Sequence, residues 1–156
     1  VKHRFAGAIP LILLAGLPAL RGETAVVSVP ASVTFTVTNV NGSTDATEFD
    51  VSFANAVLTT GHKLRIGVQA TSTDFAPPIA GTAIPASSVT WTVRAAGAGT
   101  GYNGTLSGSG YVMAYESNAG ATSGDVHLIF SLAAPGSQIR AGTHTIYLQW
   151  RFESVP

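Results

Sequence analysis

Acids, histidines and tyrosines are the side chains here that could do chemistry, and few are spaced for it. Asp45, Glu48, Asp50, Asp74 and Asp125 are oxygen donors of the kind calcium takes. None falls in a D-x-D-x-D-G loop. Asp50, Glu116 and Asp125 are the carboxylates from which a glycosidase pair would be drawn. Such a pair must face across one scissile bond, and none of the three sits in a distinctive context. As solvated acids of turns and strand surfaces they need no further role. His62, His127 and His144 are scattered, with His3 near the start. Zinc needs three or four converging ligands, so no metal site is expected. Serines are abundant but no G-x-S-x-G occurs. The G-S-G-Y run at 108–111 has no lysine or following helix to cradle a phosphate. There is no cysteine, which excludes disulfides, thiolate ligands and a cysteine nucleophile. The residue set implies no enzyme and no cofactor.

Two groups suit binding rather than catalysis. Tyr102, Tyr111, Tyr115 and Tyr147 form a candidate surface for stacking on sugars or docking a protein, although such rings also cover a sheet's outer face. Val26, Val27 and Val29, just before Pro30, form a candidate donor strand for edge pairing with another chain.

The elements that would position these groups are strands. The 142–152 stretch, G-T-H-T-I-Y-L-Q-W-R-F, alternates strictly, with Ile146, Leu148, Trp150 and Phe152 on one face. The 25–38 stretch carries Val33, Phe35 and Val37 on one face, and Pro30 splits it or holds it to an edge. The 47–58 stretch presents Val51 and Phe53, and 62–71 presents Leu64, Ile66 and Val68. If those two strands pair, Arg65 faces Glu48 or Asp50. Trp91 and Val93 share a face in 88–95, and Leu128 and Phe130 share one in 125–132. These residues, with Phe35, Leu148, Trp150 and Phe152, make the expected core. The 72–87 piece, with three prolines, reads as a long loop. The glycine-rich 96–110 run reads as a short strand near 102–106 or a mobile flap. Residues 110–117 add another strand.

Regular strand spacing without a helical stripe predicts an all-β fold. The expectation is an immunoglobulin-like β-sandwich of about seven to nine mostly antiparallel strands. A small β-barrel or jelly roll is the alternative. Residues 1–22 read as a secretion signal peptide: V-K-H-R is basic, an apolar run follows, and Arg21-Gly22 is turn-prone. The apolar run is shorter than the roughly 20 residues of a membrane span. Residues 23–156 then form one domain.

Charged residues are 10% of the chain, against roughly 25% in an ordinary soluble domain. Net charge is zero, and no basic cluster is left for nucleic acid once the leader is set aside. A polar, weakly charged surface offers little repulsion between copies. The expected place is secreted, at the cell surface or in a periplasm.

The segment A-G-T-H-T-I-Y-L-Q-W-R-F-E-S-V-P, 141–156, resembles the end of WxL-type bacterial surface domains, and V-T-W-T-V at 89–93 resembles their first W-x-L element. More broadly the layout is similar to secreted pilin-like and spore-coat-like β-sandwiches. Val93 and Phe152 stand where leucine is usual, and His144 where an aromatic is usual. The resemblance implies a non-catalytic role: attachment to an envelope or assembly into a fibre or surface layer. The implied partners are further copies, other envelope proteins or glycans.

Overall fold

The computed structural model describes residues 22–156, so the segment read as a signal peptide lies outside the described residues except for Gly22. The fold is all-β, built as two sheets across one core. Its strands are β1 (Thr24–Ser28), β2 (Thr44–Asp45), β3 (Phe49–Val57), β4 (Lys63–Ala70), β5 (Val89–Gly97), β6 (Gly99–Gly101), β7 (Gly104–Thr105), β8 (Val112–Ser117), β9 (Gly124–Leu132) and β10 (Leu148–Val155). One sheet has the order β1-β3-β9-β5-β7, with β2 also on β9; the other has the order β10-β4-β8-β6. All pairs are antiparallel.

Alternation places the central core as expected. Val51, Phe53, Leu64, Ile66, Val68, Trp91, Leu128 and Phe130 are all buried. Trp91 stacks on Phe130 with ring centroids 5.6 Å apart, and Phe49 meets Trp150 edge-on across the two sheets at 6.4 Å. The 72–87 loop also enters the core: Phe75, Ile84 and Ala86 are buried, and Ala86–Ser88 forms one 3₁₀ turn.

Several expectations are corrected. Residues 33–38 form no ladder, although Val33 and Phe35 remain half-buried against the core. Alternation reports which side chains are covered, not whether the backbone finds a partner. The carboxyl strand begins at Leu148; before it, Thr145 makes only an isolated bridge to Ala76. Phe35, Val93, Leu148, Trp150 and Phe152 are half-buried rather than fully buried. For the last three the reason is topological, because β10 is an edge strand. β3 and β4 lie in different sheets, so Arg65 faces neither Glu48 nor Asp50; it pairs with Glu116 on β8 at 2.6 Å.

The glycine-rich run is an ordered corner. β5 passes through Gly97-Ala98 into β6 of the other sheet, then returns as β7. A Cβ at Gly104 would overlap the Trp91 indole, and one at Gly99 would overlap the Tyr115 phenol. The glycines let backbone lie directly on large rings.

Tyr115 lies beneath this corner. A bulge opposite Ile66/Gly67 breaks the alternation of β8, so that Ala114 and Tyr115 are both fully buried. The phenol donates to the Gly97 carbonyl at 2.6 Å, and burial pushes its pKa up to about 12. Tyr115→Phe is expected to lower stability by about 1 kcal/mol. Urea denaturation checks this, and an unchanged midpoint would remove the bond's contribution.

Candidate functional site

The two sheets are joined on one side and open on the other. β5 and β6 run together at the joined side. On the open side, β1 is bonded only to β3 and β10 only to β4, so each leaves one backbone edge unpaired among the described residues. A cleft of about 290 Å³ lies between them. Ala25 and Val27 line it from β1, Leu64 and Phe152 from β4 and β10, and Leu58 from the β3–β4 connection. Its polar end holds Glu23 and Ser154.

Three features make β1 a weakly covered edge. It is short, its register on β3 slips between Thr24 and Val26, and Pro30 follows it. Proline has no amide hydrogen to continue a ladder. Val26 is 62% exposed, and Val27, Val29 and the neighbouring Val57 are exposed as well. The segment singled out as a donor strand is therefore an open apolar edge beside an apolar cleft.

A polar clasp closes one end. Thr59 N donates to Glu23 Oε1 at 2.7 Å, and His62 Nδ1 lies 3.2 Å from the same oxygen and 2.8 Å from Ser154 Oγ. Serine and carboxylate share one imidazole nitrogen here. A hydrolytic relay needs them on opposite nitrogens, so this group is built to hold strands together. Hydrogen bonds from Thr59, then from Ser154, with His62 beside them, pull the Glu23 carboxyl down to about 2. The folded value is depressed, so this stabilisation is full above the ordinary carboxylate range and is lost as pH falls from about 4.5 towards 2. Glu116, lowered by hydrogen bonds from Arg65 and then Lys63, weakens in the same direction. Glu23→Gln is expected to shift the urea midpoint at pH 6 and to leave it unchanged near pH 2. An equal shift at both pH values would contradict the clasp.

The four tyrosines do not make one surface. Tyr115, expected to be exposed, is buried because of the β8 bulge. Tyr102 is half-buried. Tyr111 is 39% exposed, with the Arg151 guanidinium 5.1 Å from its ring centre. That pair borders a shallow depression of about 160 Å³ on the outer face of the β10-β4-β8-β6 sheet. Tyr147 is 75% exposed.

The acids expected to be solvated divide. Asp45 takes a hydrogen bond from Ser131, and Asp74 takes one from Thr73 at 2.8 Å. Glu116 is held by Lys63 and Arg65. Asp50 and Asp125 lie in the other sheet, so Glu116 pairs with neither of them. Glu48, Asp50 and Asp125 instead gather around His127. Sequence reasoning missed this group because it depends on β3 pairing with β9. The signal available was the outward position of all four residues in the sequence alternation, although Glu48 itself lies just before β3. His144 stands apart: its Nε2 meets the Arg140 carbonyl at 2.9 Å, and its buried Nδ1 has no partner among the described residues.

Among the described residues, no helix is long and apolar enough to cross a membrane. Comparison of the chain with protein-family models, curated proteins and solved structures gives no match.

Proposed function

We propose that this is an exported, non-catalytic surface protein whose copies assemble through the open β1/β10 side. The observation that carries the reading is the apolar cleft between two strand edges that are unpaired among the described residues, bordered by the exposed Val26, Val27 and Val29. The proposed partner is a second copy of the chain. Its β1 edge supplies backbone hydrogen bonds, and its valines cover the apolar border. With residues 1–22 set aside the chain carries five basic and eight acidic residues, a small net negative charge that opposes this contact weakly. The reading takes the two sheets as an immunoglobulin-like sandwich, and it agrees with the role in envelope attachment or assembly that the resemblance to WxL-type and pilin-like surface proteins implies.

Light scattering across roughly micromolar to millimolar protein tests it. Mass is expected to rise with concentration, with discrete oligomers or polymers visible by negative-stain microscopy. A monomer throughout would overturn self-assembly. The second reading, a carbohydrate-binding module, is favoured by one observation: the Tyr147 ring is largely exposed. It requires glycan binding that Tyr147→Ala abolishes.

A further inference from the structure

The carboxylates around His127 lie in a staggered row on the outer face of the β1-β3-β9-β5-β7 sheet, with Asp125 opposite Ser52 and Glu48 just before β3 on the other side of the Asp50/His127 pair. Asp50 sits directly opposite His127 in the β3/β9 ladder, and Glu48 precedes it by two residues on the same face. Asp125 precedes His127 by two residues on β9. On the other flank, β5 offers only Ala95 opposite His127 and Gly97 opposite Asp125. A Cβ at Gly97 would overlap Asp125 Oδ1, so the missing side chain is what leaves room for that carboxylate.

The two imidazole nitrogens meet different groups. Nε2 lies 2.9 Å from Asp125 Oδ2. Nδ1 lies 2.7 Å from Asp50 Oδ1 and 3.3 Å from Glu48 Oε1. Ionised carboxylates only accept hydrogen bonds, and a neutral imidazole carries one N–H. With that N–H directed at Asp125, the Nδ1 lone pair converges with two carboxylate oxygens. Three lone pairs converging on one point repel one another, and a cation between them relieves that repulsion. Among the described residues, no Lys or Arg nitrogen reaches any of the three acids within 4.0 Å. A proton on Nδ1 would be matched by one carboxylate and leave the second unused.

We infer that Glu48, Asp50 and His127 Nδ1 form a binding site for a divalent transition-metal ion, with Asp125 as the group that orients the imidazole. The three ligand atoms lie within 4.8 Å of one another. Bonds of roughly 2.0–2.1 Å at tetrahedral angles put ligand atoms ~3.3 Å apart around zinc. The Nδ1–Glu48 spacing already has that value. The Nδ1–Asp50 spacing must open by roughly 0.6 Å to reach it, which the exposed Asp50 side chain can do by rotation. A carboxylate on the second nitrogen is the usual arrangement for a metal-bound histidine, fixing its tautomer and raising its basicity. The mixed nitrogen and oxygen donors suit Zn²⁺, with Mn²⁺ bound more weakly by the general affinity order. Three protein ligands leave at least one position for water or for a donor from another molecule.

Calorimetric titration of the chain with Zn²⁺, together with ¹⁵N-detected NMR of its histidine rings, tests the site. The expected result is one equivalent bound, with His127 metallated at Nδ1 and protonated at Nε2. His127→Ala and Asp50→Asn each abolish binding, Asp125→Asn weakens it about 10- to 100-fold, and His144→Ala leaves it unchanged. The signal positions in each variant's NMR spectrum report whether the fold survives. No binding at about 1 mM Zn²⁺, binding that survives His127→Ala in the folded variant, or metallation at Nε2 would each overturn the assignment.

Discussion

Trp91→Ala is expected to lower stability by about 3–5 kcal/mol, the usual cost of truncating a fully buried large aromatic. The indole is 1% exposed and stacks on Phe130. Its Nε1 donates to the Tyr102 carbonyl at 2.8 Å, which ties β5 to the glycine-rich corner. The backbone at Gly104 lies directly against the ring. Truncation therefore opens a cavity, orphans a carbonyl and removes the platform on which β7 rests. Small domains are stable by only about 5–15 kcal/mol, so the variant is expected to be marginal at 37 °C. Trp91→Phe keeps most of the volume and should lose less, chiefly the hydrogen bond. Urea denaturation of both variants checks the order, and a loss below about 1 kcal/mol for the alanine variant would contradict this packing.

Val27→Lys should act on assembly far more than on folding. Val27 pairs with Phe53 in register, lines the cleft and is 40% exposed. A lysine there can extend its ammonium into solvent, so folding should lose only about 1 kcal/mol of apolar burial. In a contact between identical copies the charge enters from both sides. Charged residues on edge strands are a common device against edge-to-edge pairing. The concentration at which oligomers form should rise at least about tenfold, equivalent to about 1.4 kcal/mol. Light scattering on both proteins gives the comparison. Unchanged assembly by a folded Val27→Lys protein would place the contact elsewhere.

Strand positions and the central core could be read from alternation because burial on one face imposes a period of two. Val51 and Phe53, Ile66 and Val68, and Leu128 and Phe130 all follow that rule. Three features could not be read this way. The β8 bulge turns Tyr115 inward, and a one-residue irregularity reverses every face assignment beyond it. The glycine-rich run left a short strand near 102–106 and a mobile flap both open; β7 falls within the first, and Gly99 and Gly104 each make room for a ring supplied by another strand. The His127 cluster depends on strand order: Asp50 and His127 are 77 positions apart, and only the β3/β9 pairing makes them neighbours. The apolar edge at Val26–Val29 was legible because Pro30 marks where a ladder must stop. The cleft beside it was not, since it requires knowing that β10 ends the opposite sheet.

The most direct test of assembly through the open side is amide hydrogen exchange by mass spectrometry, comparing dilute and concentrated protein. Among the described residues β1 and β10 each have an unpaired backbone edge, so some of their amides should exchange quickly in the dilute monomer. The account predicts new protection at high concentration confined to residues 24–29 and 148–155. Oligomers protected only elsewhere, or no concentration-dependent protection at all, would contradict it.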